Sequence, residues 1–153
     1  MQGSPQLLDS NILIRWVKPD DRDYLLIRAV IDRLLKHRVV LCYTSQNLAE
    51  FWNTCIRPID RNGYGLGIRE TDLRAGVIES NLQLLPDSLA VHREWRRIVV
   101  DYAVSGVEVY DAKLAAAMRV HGVRKILTFN QRDFVRYSDI QALHPQTLVQ
   151  ENP

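Results

Sequence analysis

A chain of 153 residues, 46% hydrophobic and 25% charged, has the balance of a water-soluble globular fold and the length of one domain, read here as residues 1–153. No run approaches the roughly 20 apolar residues that cross a bilayer, and Met1-Gln2-Gly3-Ser4-Pro5 has neither the basic start nor the apolar run of a signal peptide, so a cytoplasmic, membrane-free protein is expected. A net charge of +2 does not announce nucleic-acid binding, and two cysteines without a CxxC or Cys/His cluster exclude a zinc centre and a disulfide framework.

In chain order, Gln6 to Leu8 reads as a short strand that runs into Asp9. Pro19-Asp20 opens a helix whose Ile27, Val30, Ile31, Leu34 and Leu35 fall at the spacing of one helical face. Val39 to Tyr43 is a β-branched and aromatic run, the pattern of a buried strand, after which Thr44 or Ser45 can cap a helix. That helix carries Leu48, Phe51, Trp52 and Cys55 on its apolar side and stops at Pro58. Residues 58 to 67, with Gly63, Gly65 and Gly67, predict a loop, and a third helix follows from about Ile68 to Asn81 despite Gly76. Leu82 to Leu85 is a candidate strand. Pro86-Asp87 starts a fourth helix with Val91, Trp95, Ile98, Val99 and Tyr102 on one face. After a turn near Gly106, Asp111 to His121 forms an alanine-rich helix that Gly122 stops. Lys125 to Thr128 predicts a strand, followed by a short helix near Asp133 and an edge strand over Ile140 to Leu143. Cys42 and Cys55 are expected as buried free thiols, and Trp16, Trp52 and Trp95 in or against the core.

Strands alternating with helices predict a three-layer α/β/α sandwich around a central, mostly parallel sheet. In such sheets ligands bind beyond the carboxyl ends of the strands. Asp9 ends the first strand, Asn130 and Asp133 follow another, Glu50 lies in the helix after the second strand, and Asp111 opens a helix leading to Thr128. All are expected at one edge of the sheet. Taken singly, each has a plainer reading. Asp9-Ser10-Asn11 suits a turn or helix cap, Glu50 sits on a polar side with Gln46, Asn53 and Arg57, and Asp111 complements a helix dipole. Ala115, Ala116 and Ala117 let that last helix pack closely on the sheet.

Together, Leu8-Asp9-Ser10-Asn11, Ser45-Gln46-Asn47-Leu48-Ala49-Glu50-Phe51, Asp111-Ala112-Lys113-Leu114-Ala115 and Leu127-Thr128-Phe129-Asn130-Gln131-Arg132-Asp133-Phe134 give the chain a resemblance to the PIN-domain family. It is most similar to the toxins of VapBC-type toxin–antitoxin pairs, from Leu7 to about Leu143. The resemblance implies a metal-dependent ribonuclease in which Asp9, Glu50 and Asp111 are the acidic catalytic and metal-binding positions. It departs from the usual pattern at Asn130, where many relatives carry an acid, while Asp133 keeps an Asp-Phe pair that the family often shows. Asn130 offers an amide oxygen without charge, which leaves one metal or two open.

Phosphodiester cleavage needs an activated nucleophile and relief of charge on the reacting phosphate. Hard cations such as Mg²⁺ or Mn²⁺ take oxygen ligands, so clustered carboxylates suit them, and without a cation the cluster repels itself. Asp9 and Asp111 are expected as the principal ligands, with Glu50 on a second metal or orienting water and Asn130 and Asp133 at the rim. Ser10, Asn11 and Thr128 are expected as supporting hydrogen-bond partners. His37, His92, His121 and His144 accompany no nucleophile motif, and Gly63-Tyr64-Gly65-Leu66-Gly67 lacks the Lys-Ser/Thr of a phosphate loop.

Sixteen of the 20 basic residues are arginine, a planar fork that matches phosphate oxygens. Arg15, Arg57, Arg61, Arg69 and Arg132 are candidate RNA contacts, and Arg93, Arg96 and Arg97 form another basic group; the alternative for each is a solvated face. The family resemblance implies an RNA substrate, a small antitoxin partner and a homodimer. Two other classes compete: an inactive PIN-like module that binds RNA or protein, which Asn130 favours, and a phosphatase, for which Asp9-Ser10-Asn11 lacks a second aspartate.

Overall fold

Side chains along a strand alternate between faces, and in this chain both faces of the central strands are apolar. In the computed structural model, which describes residues 3–150, five parallel strands form one sheet. They are β1 (Gly3–Leu8), β2 (Val39–Thr44), β3 (Gln83–Leu85), β4 (Lys125–Leu127) and β5 (Gln141–Leu143), in the order β3-β2-β1-β4-β5. Leu7 pairs with Cys42 on one side and Ile126 on the other, so β1 is the central strand. Both edge strands have only three residues, which limits the unpaired backbone presented for association.

Parallel pairing requires crossovers, which six α-helices supply as far as β4 and a 3-10 turn, Gln131–Phe134, supplies between β4 and β5, while a seventh helix follows β5. The helices are α1 (Ser10–Trp16), α2 (Tyr24–Lys36), α3 (Ser45–Ile56), α4 (Ile68–Asn81), α5 (Leu89–Asp101), α6 (Glu108–His121) and α7 (Pro145–Gln150). Leu7, Cys42 and Ile126 face α5 and α6, through Val91, Ile98, Ala112, Ala115, Ala116 and Met118. Leu8, Leu41, Tyr43 and Leu127 face the opposite layer, through Ile12 and Leu13 of α1, Ile27 and Ile31 of α2, and Phe51 and Ile78 of α3 and α4. The expected three-layer sandwich is therefore present, and its sheet is wholly parallel. Cys42 and Cys55 are buried free thiols, and the three tryptophans are half-buried. No helix among the described residues is long and apolar enough to cross a membrane.

Several boundaries differ from expectation. Asp9-Ser10-Asn11, read as a turn or helix cap, does place a cap at Asp9, but the helix it caps, Ser10–Trp16, is not among the expected elements; a seven-residue segment is stable through docking Ile12 and Leu13 on the sheet, which periodicity over two turns does not reveal. The next helix starts at Tyr24, and Pro19-Asp20 lies in the preceding loop, where Lys18 pairs with Asp20 at 2.7 Å. α6 begins at Glu108, one turn before Asp111, because Gly106 at φ +63° makes the turn and no side chain caps the helix to mark its start. The chain after β5 forms α7, which the polar Pro145-Gln146-Thr147 start concealed. Strand β4 stops at Leu127, although the N–H of Thr128 still donates to the Leu143 carbonyl at 2.9 Å.

The close seat of α6 on the sheet is testable. Ala116 is fully buried against it, so Ala116→Leu overpacks the layer and costs about 1–3 kcal/mol. Urea denaturation is expected to show the loss as a lower midpoint; an unshifted midpoint would mean slack packing under α6.

Candidate active site

Asp9 leaves the carboxyl end of β1 with its N–H still paired to the Leu127 carbonyl, 3.0 Å away. Its side chain caps α1: Oδ1 accepts from the Ser10 N–H at 2.8 Å, and Oδ2 accepts from the Thr128 hydroxyl at 2.8 Å. The fully buried Thr128 hydroxyl also accepts from the Asn130 N–H at 3.0 Å and from the Asn11 amide at 3.4 Å. One donor and two acceptor positions fill the capacity of a hydroxyl, so its proton is committed to Asp9. Strand ends β1 and β4 are thereby joined through a carboxylate that is itself only 8% exposed.

Glu50 is placed by the start of α3. Thr44 caps that helix, and the Asn47 side chain, with no exposed surface, accepts from both the N–H and the hydroxyl of Thr44 at 2.9 Å. The other end of the same amide donates to the Ser10 hydroxyl at 3.1 Å. Asn47 thus fixes the start of α3 to the start of α1, and with it the offset between Glu50 and Asp9. Gln46 then donates to Glu50 Oε1 at 3.1 Å and to the Tyr110 carbonyl at 3.0 Å, tying Glu50 to the turn of α6 that carries Asp111. Sequence reading missed both residues. Only the Thr44-x-x-Asn47 capping spacing signals Asn47, and its link to Ser10 exists only in three dimensions.

A cavity of about 470 Å³ opens at this end of the sheet. Asp9, Ser10, Asn11, Glu50, Asp111, Asn130 and Asp133 line it, and Thr128 stands directly behind Asp9. Arg15 and Arg57 also reach the wall, with Asp21, Thr54, Asn62 and Tyr64, which sequence reading did not single out. Arg61, Arg69 and Arg132 are exposed and lie outside the lining. Arg15 is heavily engaged. It donates to the Asn11 carbonyl at 2.7 Å, stacks 4.7 Å from the Phe129 ring centre, and pairs with Asp23 at 3.4 Å and Asp21 at 3.9 Å.

The electrostatics show strain among the acids. Burial pushes the Asp111 carboxyl up to about 7, and repulsion from Asp133, Asp9 and Glu50 adds to it. Burial also raises Asp9, against the hydrogen bonds from Thr128 and Ser10, with Glu50 and Asp133 adding repulsion. Among the described residues no three His, Cys, Asp or Glu side chains already form a group able to hold a metal ion. The lining nevertheless offers oxygen donors of the kind hard divalent cations take, and the mutual repulsion is what such a cation relieves. Donor chemistry and charge therefore fit a divalent metal.

Comparison with known proteins points the same way. The PIN domain family model matches residues 7–140. No curated protein matches the sequence. Among solved structures, DNA-bound VapBC from Salmonella typhimurium is similar at TM-score 0.70 and 19% identity, over 94% of this chain and 99% of that one. VapC20 of Mycobacterium tuberculosis, a sarcin–ricin loop cleaving toxin, is similar at TM-score 0.64 and 14% identity, over 86% of this chain and 95% of that one. FitAB bound to a DNA fragment is similar at TM-score 0.63 and 18% identity, over 92% and 94%. At these identities the likeness is one of fold.

The strain at Asp111 has a measurable consequence. Unfolded, this carboxyl releases its proton near 3.8; folded and metal-free, it keeps the proton to about 7. The folded state binds more protons between those values, so it loses stability as pH rises from about 4 to 7. In EDTA at pH 8, Asp111→Asn is expected to stabilise the protein by about 1–2 kcal/mol, after allowance for partial exposure, and to do little at pH 4. Thermal melting at the two pH values measures it; a variant destabilised at pH 8 would show that the acids do not repel.

Proposed function

This chain belongs to the PIN domain family, and from that premise we propose that it is a metal-dependent endoribonuclease, the toxin of a VapBC-type toxin–antitoxin pair. The observation that carries the reading is the convergence on one cavity of Asp9, Glu50, Asp111 and Asp133, which lie far apart in sequence. In this reading residues 1–153 are a single nuclease domain. Asp9 and Asp111 hold Mg²⁺ or Mn²⁺, Glu50 holds a second ion or orients water, and Asn130 and Asp133 complete the rim. When bound, the cation supplies Lewis acidity toward water and phosphate and neutralises charge on the reacting group.

The chain's own contribution is orientation. Thr128 and Ser10 fix both oxygens of Asp9 and leave the remaining lone pairs toward the cavity. Gln46 holds Glu50 at the cavity, where it would hold the second ion or orient the attacking water. Asn130 keeps a hydrogen-bonding amide at the rim without adding to the repulsion. RNA as substrate rests on the family resemblance and on VapC20, described as a sarcin–ricin loop cleaving toxin. A small antitoxin partner rests on the VapBC and FitAB structures. A homodimer in the cytoplasm completes the proposal.

The test is cleavage of mixed RNA by purified protein with Mg²⁺ or Mn²⁺, beside an EDTA control. Activity is expected only with metal, and Asp9→Asn and Asp111→Asn are expected to lower it at least about 100-fold. Cutting that survives in both variants overturns the assignment. RNA retained with metal but never cut identifies the inactive binding module instead.

A further inference from the structure

A phosphodiester entering an acidic cavity needs positive charge besides any metal, and the two arginines in the lining are not equivalent. Arg15 spends its charge on Asp21 and Asp23 and its stacking face on Phe129. Arg57 makes one side-chain hydrogen bond among the described residues, Nη2 to the Asn62 carbonyl at 2.8 Å, and no ion pair. Its Nε is sealed from solvent and has no partner. A half-buried guanidinium that has no counter-ion and leaves its Nε unpartnered is costly, and an anion beside its Nη groups offsets the uncompensated charge.

The backbone around Arg57 is built to hold it there. Arg57 ends α3, and the next residues fold back on the helix end. The Gly65 N–H donates to the Arg57 carbonyl at 2.9 Å, and Tyr64 and Leu66 return to the Thr54 and Cys55 carbonyls at 2.9 and 2.8 Å. Asn62 turns in the left-handed region at φ +62°, which brings Gly63 so close that a Cβ there would lie 1.9 Å from the Arg57 oxygen. Only glycine fits. The glycine-rich connection of the sequence is a clasp that holds one arginine in the wall of the cavity the carboxylates also line.

We propose that Arg57, held by the Asn62-Gly63 clasp, is the phosphate-binding residue of the cavity and contacts a backbone phosphate of single-stranded RNA next to the one that is cut. This rests on the nuclease reading above. Its remaining N–H donors form a planar fork suited to two phosphate oxygens, which a lysine cannot reproduce. Arg15 is a strut that fixes the end of α1 to the loop before α2. Arg61, exposed four residues further along the same loop, contributes only general charge.

Binding of a fluorescent single-stranded RNA, followed by anisotropy in Mg²⁺ at several salt concentrations, tests this in an Asp9→Asn background that holds RNA without cutting it. Arg57→Gln is expected to weaken binding about 10- to 100-fold and to lower the slope of log Kd against log salt by about 0.7, the value for one phosphate of a single strand. Arg57→Lys keeps the salt slope and recovers part of the affinity, which a purely structural role for the side chain would not produce. Arg61→Gln changes affinity less than about 2-fold. If Arg57→Gln melts like its parent and binds with unchanged affinity and salt slope, the proposal is wrong, while RNA cutting by the wild type would leave the nuclease reading intact. If Arg57→Gln does not fold, Arg57→Lys decides: full affinity with no preference for the fork overturns the proposal. A wild type that binds through Arg57 but never cuts overturns the nuclease reading alone.

Discussion

A carboxylate at the end of the central strand of a parallel sheet sits where both layers of helices close in, and its charge must be answered there. Asp9 is answered by the Thr128 hydroxyl and the Ser10 N–H, and the hydroxyl in turn is held by Asn130 and Asn11. This small network binds the ends of β1 and β4, starts α1, and aims the turn that carries Asn130 and Asp133. Every other element of the cavity is positioned relative to it.

The network does not neutralise Asp9, and the neighbouring acids add to the charge. Asp111 carries the clearest sign, since burial and three facing carboxylates hold its proton to near neutrality. Such crowding of acids costs stability in the metal-free chain, a conflict typical of functional sites and one that the proposed cation would relieve. Arg57 adds a second conflict of opposite sign, an uncompensated cation a short way along the same wall. In the proposed reading a phosphodiester with its metal would resolve both at once, because it would bring positive charge to the acids and an anion to the guanidinium.

Much of this was legible in the sequence. The stripe Ile27, Val30, Ile31, Leu34 and the runs Val39–Tyr43 and Lys125–Leu127 set the alternation of helices and strands, since burial on one face or both leaves a period that can be read directly. Leu35 shows the limit of that rule, lying at the stripe's margin and 37% exposed. Family motifs single out Asp9, Glu50 and Asp111, and all three line one cavity. What stayed hidden depends on partners distant in sequence: α1 through its docking, Asn47 through Ser10, and Gln46 through Tyr110. The arginines show the point most clearly. Five looked alike as candidates, but two line the cavity, one of those is tied up in ion pairs, and only the fold distinguishes Arg57.

The account turns on whether the acids of the cavity converge on a cation. Crystals of the wild-type protein soaked in Mn²⁺ provide the most direct view through anomalous scattering. An anomalous peak in this cavity, with oxygens of residues 9 and 111 at about 2.1 Å from it, is the predicted result. A fully occupied peak elsewhere, or an empty cavity at millimolar Mn²⁺ with those side chains turned away from one another, would contradict it.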